Sequence, residues 1–335
     1  MRQRKKNSFR RTGARVGGLG LLLAISCLAQ SPVDSQFGDV PEGRIQLAGL
    51  EPAEQSRLQT AMQKHDYAAA ETLLAAHAQS HPKSQPALLL LADILFLDGK
   101  QLNSVVVLKK AELLSPLDER SRYLLALSYV SLGRRNLAIP ELEKLAESHP
   151  TDARYPYWLA RLLYRKMDLQ HALSYAREAV RLNPALAKAH DQLGLCYAAL
   201  GEADSAIQSY RDAMRLSEEQ ALHWPWPALN LGTLYFRLDR LPEAEQALNQ
   251  SLLAEPNFPA AHFRLGQVLE KTGQLDRAIL ELLKAAELDP TYPEPHYALA
   301  RIYRRRKDLT AADRELGAFA RLREIDNQKG IVRPD

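Results

Sequence analysis

The chain has 335 residues, 46% of them hydrophobic and 25% charged, a composition that excludes a disordered or low-complexity polymer. Its formal charge of +4 is unevenly placed. Residues 1–29 carry seven basic side chains (Arg2, Arg4, Lys5, Lys6, Arg10, Arg11, Arg15) and no acid, leaving 37 of the 44 basic residues against all 40 acidic ones, a balance of −3. A body without basic excess lacks the electrostatic footprint of a nucleic-acid binder.

The first predicted element is an export signal over residues 1–29. Its cationic start leads into "VGGLGLLLAISCLA", fourteen mostly apolar residues from Val16 to Ala29. Crossing a bilayer takes about twenty, so the segment reads as a leader cleaved after Ala29, and the protein as periplasmic or secreted. A membrane-anchored lipoprotein stays open as the alternative, because "AISC" is similar to a bacterial lipobox and would place the lipid on Cys27; Ala24 stands where that motif carries leucine. Either way, insertion or anchoring in a membrane is assigned only to this segment. Gly17, Gly18 and Gly20 lack the strand–turn–helix context of a dinucleotide loop. With the leader removed only Cys196 remains, so no intramolecular disulfide can form, and its apolar surroundings predict a buried, inert thiol. Residues 30–50, polar and containing Pro32 and Pro41, read as a flexible linker.

From Glu51 onward the sequence repeats every 34 residues: 51–84, 85–118, 119–152, 153–186, 187–220, 225–258, 259–292 and 293–326. Position 7 is leucine in every unit but the first, where it is Arg57. After Leu58 in the first unit, position 8 is Ala92, Ala126, Ala160, Gly194, Gly232, Gly266 and Ala300. Position 20 is alanine in seven units and Ser104 in the other. Small residues at these two positions let antiparallel helices approach closely, and apolar residues at helical spacing fill the space between them. Gly99, Gly133, Gly201 and Gly273, at position 15, allow the left-handed conformation that ends a first helix. Proline at position 32 (Pro82, Pro116, Pro150, Pro184, Pro256, Pro290) stops a second helix. No unit can bury its apolar face alone, so neighbours must stack.

The pattern resembles the tetratricopeptide repeat, with its small residues at positions 8, 20 and 27 and proline at 32. The resemblance implies an all-α, right-handed superhelical solenoid of about eight helix-turn-helix repeats over 51–326, followed by a polar tail, 327–335. Arg57 and His77 mark the first unit as a worn cap, and Glu218 replaces the proline of the fifth, before a four-residue insertion, Ala221 to Trp224. In this family the first helix of each unit lines a concave groove through positions 2, 5, 9, 12 and 13. Those positions and their neighbours here supply the candidate partner-binding residues Tyr123, Arg154, Tyr157, Arg161, Tyr164, Arg165, Trp226, Phe236, Phe263, Arg264, Tyr297 and Arg301. Aromatic rings and arginines dominate many binding surfaces, although rings at such positions can also pack between repeats. A clamp for chaperone C-terminal carboxylates is not implied: Asn230 and Arg264 fit it, but Asp191, Leu195 and Ala260 do not. In "HWPWP", His223 to Pro227, the two tryptophans either anchor a partner or plug the gap opened by the insertion.

No catalytic, cofactor or metal motif is found. His190, His262 and His296 recur at position 4, but equivalent helices lie about 10 Å apart, so packing rather than shared coordination is expected. The run Arg304 to Lys307 is a solvated end or a contact for an acidic partner or anionic lipid. The reading is a non-enzymatic scaffold of the cell envelope that holds a protein partner, an extended peptide or a helix, in the groove. Its neighbours are a lipid-anchored assembly, secretion or pilus-biogenesis factor and an accessory or regulatory subunit of an envelope enzyme complex. The final helix has no polar cap after it, which leaves its edge open for self-association.

Overall fold

The computed structural model describes residue 40 and residues 42–329. The predicted signal peptide, with Cys27, lies outside the described residues, as do most of the linker and the end of the tail.

Among the described residues all regular structure is helical. A short α1 (Glu42–Leu47) precedes eight helix pairs. These are α2 (Pro52–Gln63) with α3 (Tyr67–Ser80), α4 (Gln85–Leu97) with α5 (Gln101–Glu112), α6 (Glu119–Ser131) with α7 (Arg135–Ser148), and α8 (Arg154–Arg165) with α9 (Leu169–Leu182). They continue with α10 (Ala187–Leu200) and α11 (Ala203–Glu219), α12 (Trp226–Arg237) and α13 (Leu241–Ala254), α14 (Pro259–Lys271) and α15 (Leu275–Leu288), and α16 (Pro293–Arg305) and α17 (Leu309–Lys329). Each second helix packs on its own partner and on the first helix of the next pair. The core is therefore one continuous ribbon with the stacked logic of a solenoid.

The small positions are where the helices touch. All eight residues at position 20, from Ala70 to Ala312, are wholly buried. Ser104, the one polar member, donates its hydroxyl to the Ala92 carbonyl at 2.9 Å, so its burial leaves nothing unsatisfied. A β-carbon on Gly194 would meet the Tyr210 ring at 2.6 Å, and one on Gly232 would meet Leu248 at 2.7 Å.

The turn inside each pair is the same in all eight units, which four glycines only half disclose. His65, Gly99, Gly133, Met167, Gly201, Asp239, Gly273 and Lys307 all have positive φ. The residue after each donates its N–H to the carbonyl five positions back, as from Lys100 to Leu95 at 2.8 Å and Asp168 to Leu163 at 3.0 Å. This bond closes the helix end, and it holds the four non-glycine residues in a conformation costing about 1–2 kcal/mol for a side-chain-bearing residue.

Two regions depart from expectation. Residues 42–50, assigned to a flexible linker, instead form α1 and a docked connection in which Ile45, Ala48 and Leu50 are buried. The polar count of that stretch conceals apolar residues spaced to meet the first pairs. At the other end α17 runs on to Lys329, three residues into the expected tail. Around the insertion, α11 continues to Glu219 because no proline stops it, and Ala221 and His223 then turn the chain with φ of 50° and 45°. Trp226 is buried edge-on against Phe258, ring centres 4.7 Å apart, and Trp224 is half-buried on the same core. The tryptophans plug the gap.

Gly194→Ala tests the close approach. Alanine ordinarily gains about 1 kcal/mol over glycine inside a helix, whereas overpacking costs about 1–3 kcal/mol. The wholly buried Tyr210 ring cannot step aside, so a net loss of up to about 2 kcal/mol is expected in urea unfolding.

Candidate partner-binding groove

The first helices present their inner-face residues in sequence, and the structure divides the candidates sharply. Tyr123 is 1% exposed; it accepts a hydrogen bond from Trp158 Nε1 at 2.7 Å and meets the Tyr155 ring edge-on. Tyr157, Tyr164, Trp226 and Phe263 are buried as well. These rings fill the seams between neighbouring first helices, where a flat side chain excludes more water than it could on an open wall. They are packing residues first, the second of the two roles open to rings at these positions. Tyr155, absent from the candidates, belongs to the same seam and donates to Glu119 at 2.5 Å.

Most of the arginines are engaged within the wall. Arg154 binds Asp152 through Nε at 2.8 Å, reaches Glu119 at 3.2 Å, and lies over the Tyr123 and Tyr155 rings at 5.4 Å. Arg161 is buried with its guanidinium 4.9 Å from the Trp158 ring centre. Arg165 is half-buried at the end of α8. Arg301 grips Glu270 of α14 with two nitrogens, at 2.8 and 2.5 Å, an inter-repeat bond.

At the centre of the array Asp191 is fully buried and accepts a hydrogen bond from Asn230 Nδ2 at 2.8 Å. Burial pushes its carboxyl up to about 7, against the opposing effects of the Asn230 bond and the nearby Arg161 charge. Neither Asp191 nor Asn230 carried a motif, and only their shared seam makes them one unit.

Arg264 on α14 is different. Its guanidinium lies 5.8 Å from the centres of both the Phe236 and Phe263 rings and donates to Gln267 Oε1 at 2.6 Å. Among the described residues no carboxylate lies within ion-pair reach of it. Burial lowers its pKa, with neighbouring Arg237 pushing the same way. Lys271 adds its ammonium 5.2 Å from the Phe236 ring centre while bonding Asp239 at 2.6 Å. Tyr297, 51% exposed, supplies the one fully accessible aromatic candidate, beside Phe319. This end of the groove combines accessible ring surface with a cation lacking an acid.

The position-4 histidines are structural. His190 and His262 reach the carbonyls of Pro184 and Pro256 at 2.9 and 3.0 Å, tying the between-unit turn to the next first helix. His262 and His296 also bond Glu281 and Glu315, at 2.6 and 2.8 Å. No group of three His, Cys, Asp or Glu side chains gathers as a metal site among the described residues. Nor is any described helix long and apolar enough to cross a membrane.

Three tetratricopeptide-repeat family models match this chain, one over residues 123–187 and 229–293, one over 186–254 and one over 281–314. The chain belongs to the tetratricopeptide-repeat family. That fold is a protein-interaction scaffold, binds protein or peptide partners, and is typically non-catalytic. The chain is 27% identical over 182 residues to BBSome complex member BBS4 of Bos taurus, a match spanning 54% of this chain and 33% of that protein. It is 25% identical over 166 residues to the Caenorhabditis elegans counterpart, covering 46% and 34% of the two chains. The match thus spans about a third of these curated relatives. Among solved structures, a tetratricopeptide repeat protein from Parabacteroides merdae superposes with a TM-score of 0.60 at 16% identity, over 73% of this chain and 94% of that one. A chain of the APC/C hetero-tetramer Cut9-Hcn1 gives 0.52 at 22% identity, over 81% and 53%. Both share the stacked-hairpin architecture.

Asp191 carries a pH signature of the repeat wall. Between its ordinary value of 3.8 and its folded value of about 7, the folded chain retains a proton that the unfolded chain has released. Stability therefore falls as pH rises through that window. Asp191→Asn keeps an acceptor for Asn230 and removes the buried charge. Its stability gain over the parent is expected to be larger at pH 8 than at pH 5, by on the order of 2 kcal/mol, in paired thermal melts.

Proposed function

We propose that this repeat protein holds an acidic segment of a protein partner, peptide or helix, against the C-terminal part of its concave groove. The observation that carries the reading is Arg264, a desolvated guanidinium between two phenylalanines with no carboxylate of its own. A half-buried charge without a counter-charge in reach keeps part of its desolvation cost, and a partner carboxylate entering the groove relieves that cost. Phe236 and Tyr297 offer adjoining aromatic surface, and Arg237, Arg304 and Arg305 give the rim a basic bias. BBS4, to which part of this chain is similar, is named as a member of a protein complex. That supports assembly rather than chemistry as the role here.

We further propose that the protein works in the cell envelope, on the strength of the cationic and apolar leader. The mass of the mature N-terminus separates the two forms: a chain beginning after Ala29 supports a periplasmic or secreted protein, and a lipid-modified Cys27 supports an anchored one.

Photo-crosslinking from Tyr297, in the exported protein within its native envelope, tests the groove. Adducts are expected on acidic partner segments. Arg264→Ala should reduce their yield about tenfold, the equivalent of one charge-assisted hydrogen bond, in a chain that still melts in one cooperative transition. Equal crosslinking in the two proteins rejects the reading.

A further inference from the structure

The opposite end of the groove already holds a ligand, and it belongs to the chain itself. Arg44 of α1 donates from Nη1 to Asp93 Oδ2 at 2.9 Å and from Nη2 to both oxygens of Asp118 at 2.9 Å and to Ser121 Oγ at 2.7 Å. Asp93 occupies position 9 of its unit and Arg120 position 2 of the next, both inner-face positions. The guanidinium therefore sits across the seam between α4 and α6, on the surface that receives partners in this family. Its bonding partners lie 49 to 77 residues away in the chain, so nothing about local sequence obliges the contact.

The pocket is built for a cation. Asp93 is almost wholly buried and faces Arg120 Nε at 3.6 Å, too long for a hydrogen bond, and its Oδ1 accepts no hydrogen bond. With Arg44 withdrawn, Asp93 and Asp118 would stand together at a seam with one basic neighbour. A second carboxylate at such a place makes an arginine the fitting guest, because a planar fork can serve both acids and the hydroxyl at once.

The occupant is weakly rooted. α1 has six residues, well below the roughly 12–15 that an isolated helix needs to persist. Its helical form depends on docking: Ile45 and Ala48 are buried, Leu47 is 72% exposed, and the Ala48 carbonyl is tied to His77 Nε2 at 3.2 Å. Val40 and Leu50 are buried on either side of it, but a helix of six residues still belongs to the low-stability end of a fold, where local opening comes before global unfolding.

We propose that residues 42–50 are an intramolecular occupant of the groove, seating Arg44 in an arginine-reading pocket formed by Asp93, Asp118 and Ser121, and that a partner segment presenting an arginine competes for the same pocket. The strap packs on α4 and reaches His77 of α3 and the start of α6. The inference is independent of Arg264, which lies at the far end of the array.

The test uses the full chain and a fluorescein-labelled synthetic peptide of residues 37–50, "FGDVPEGRIQLAGL". In Arg44→Glu the strap is repelled by Asp93 and Asp118, so this chain is expected to bind the peptide at least tenfold more tightly than the parent, by fluorescence anisotropy. A peptide with alanine in place of its arginine, or the double variant Arg44→Glu/Asp93→Asn, should lose that gain. Hydrogen exchange of residues 42–50 should accelerate in Arg44→Glu and in the milder Arg44→Ala while α10 to α15 keep their protection. Equal peptide binding by parent and Arg44→Glu overturns the proposal. So does unchanged exchange over 42–50, or loss of protection throughout the array in both variants, which would make α1 an integral part of the fold.

Discussion

The contact between small residues at positions 8 and 20 governs this molecule. Where Gly194 faces Tyr210, or Ala126 lies wholly buried, two helix axes come close enough for leucines on either side to interlock. A β-carbon too many would prise them apart. Because the same contact recurs from pair to pair, the steps repeat and build a superhelix. The inner face, the seams and the ends are consequences of that step. So is the chain's lack of a single compact core, since each pair buries its surface against the next.

A repeated step also dictates how polar side chains are used. Inner-face positions of neighbouring units converge, and residues from adjacent first helices meet across each seam. In the middle of the array these meetings are closed: Asp191 with Asn230, Trp158 with Tyr123. Such bonds fix the rotation of one unit on the next. The two ends behave otherwise. Between α12 and α14 Arg264 lies among ring faces and an amide with no acid in ion-pair reach, although Arg301 and Glu270 close the next seam, and near α4 two acids are filled by an arginine from α1. Opposite charge preferences at the two ends of one groove suit a partner that is itself polar along its length, or two partners bound in order.

Legibility varied with the range of the interaction. Period, helix pairing and the effect of the missing proline at Glu218 could be read directly, because each depends on neighbours within one or two turns. The left-handed residue at position 15 was visible only where it was glycine. His65, Met167, Asp239 and Lys307 adopt it because the five-back hydrogen bond holds the backbone, and no side chain announces that bond. Among the candidate binding residues, chemical type was the guide, and it could not separate Tyr123, sealed in a seam, from Tyr297, open to water. Both are tyrosines at position 5 of their units, and they differ only in what the neighbouring unit lays over them.

Local order thus belonged to the one-dimensional pattern: a 34-residue period, helical throughout, with small residues marking each crossing and no constellation for chemistry. Partnership belonged to the three-dimensional stacking. Whether an arginine is spent on a neighbouring acid, as Arg301 is, or held between rings without one, as Arg264 is, depends on side chains brought beside it from another repeat. That a polar stretch such as residues 42–50 folds back onto α4 likewise depends on carboxylates 49 and 74 residues further along the chain. Such distances lie beyond any periodicity, because the solenoid's curvature, not chain proximity, closes them.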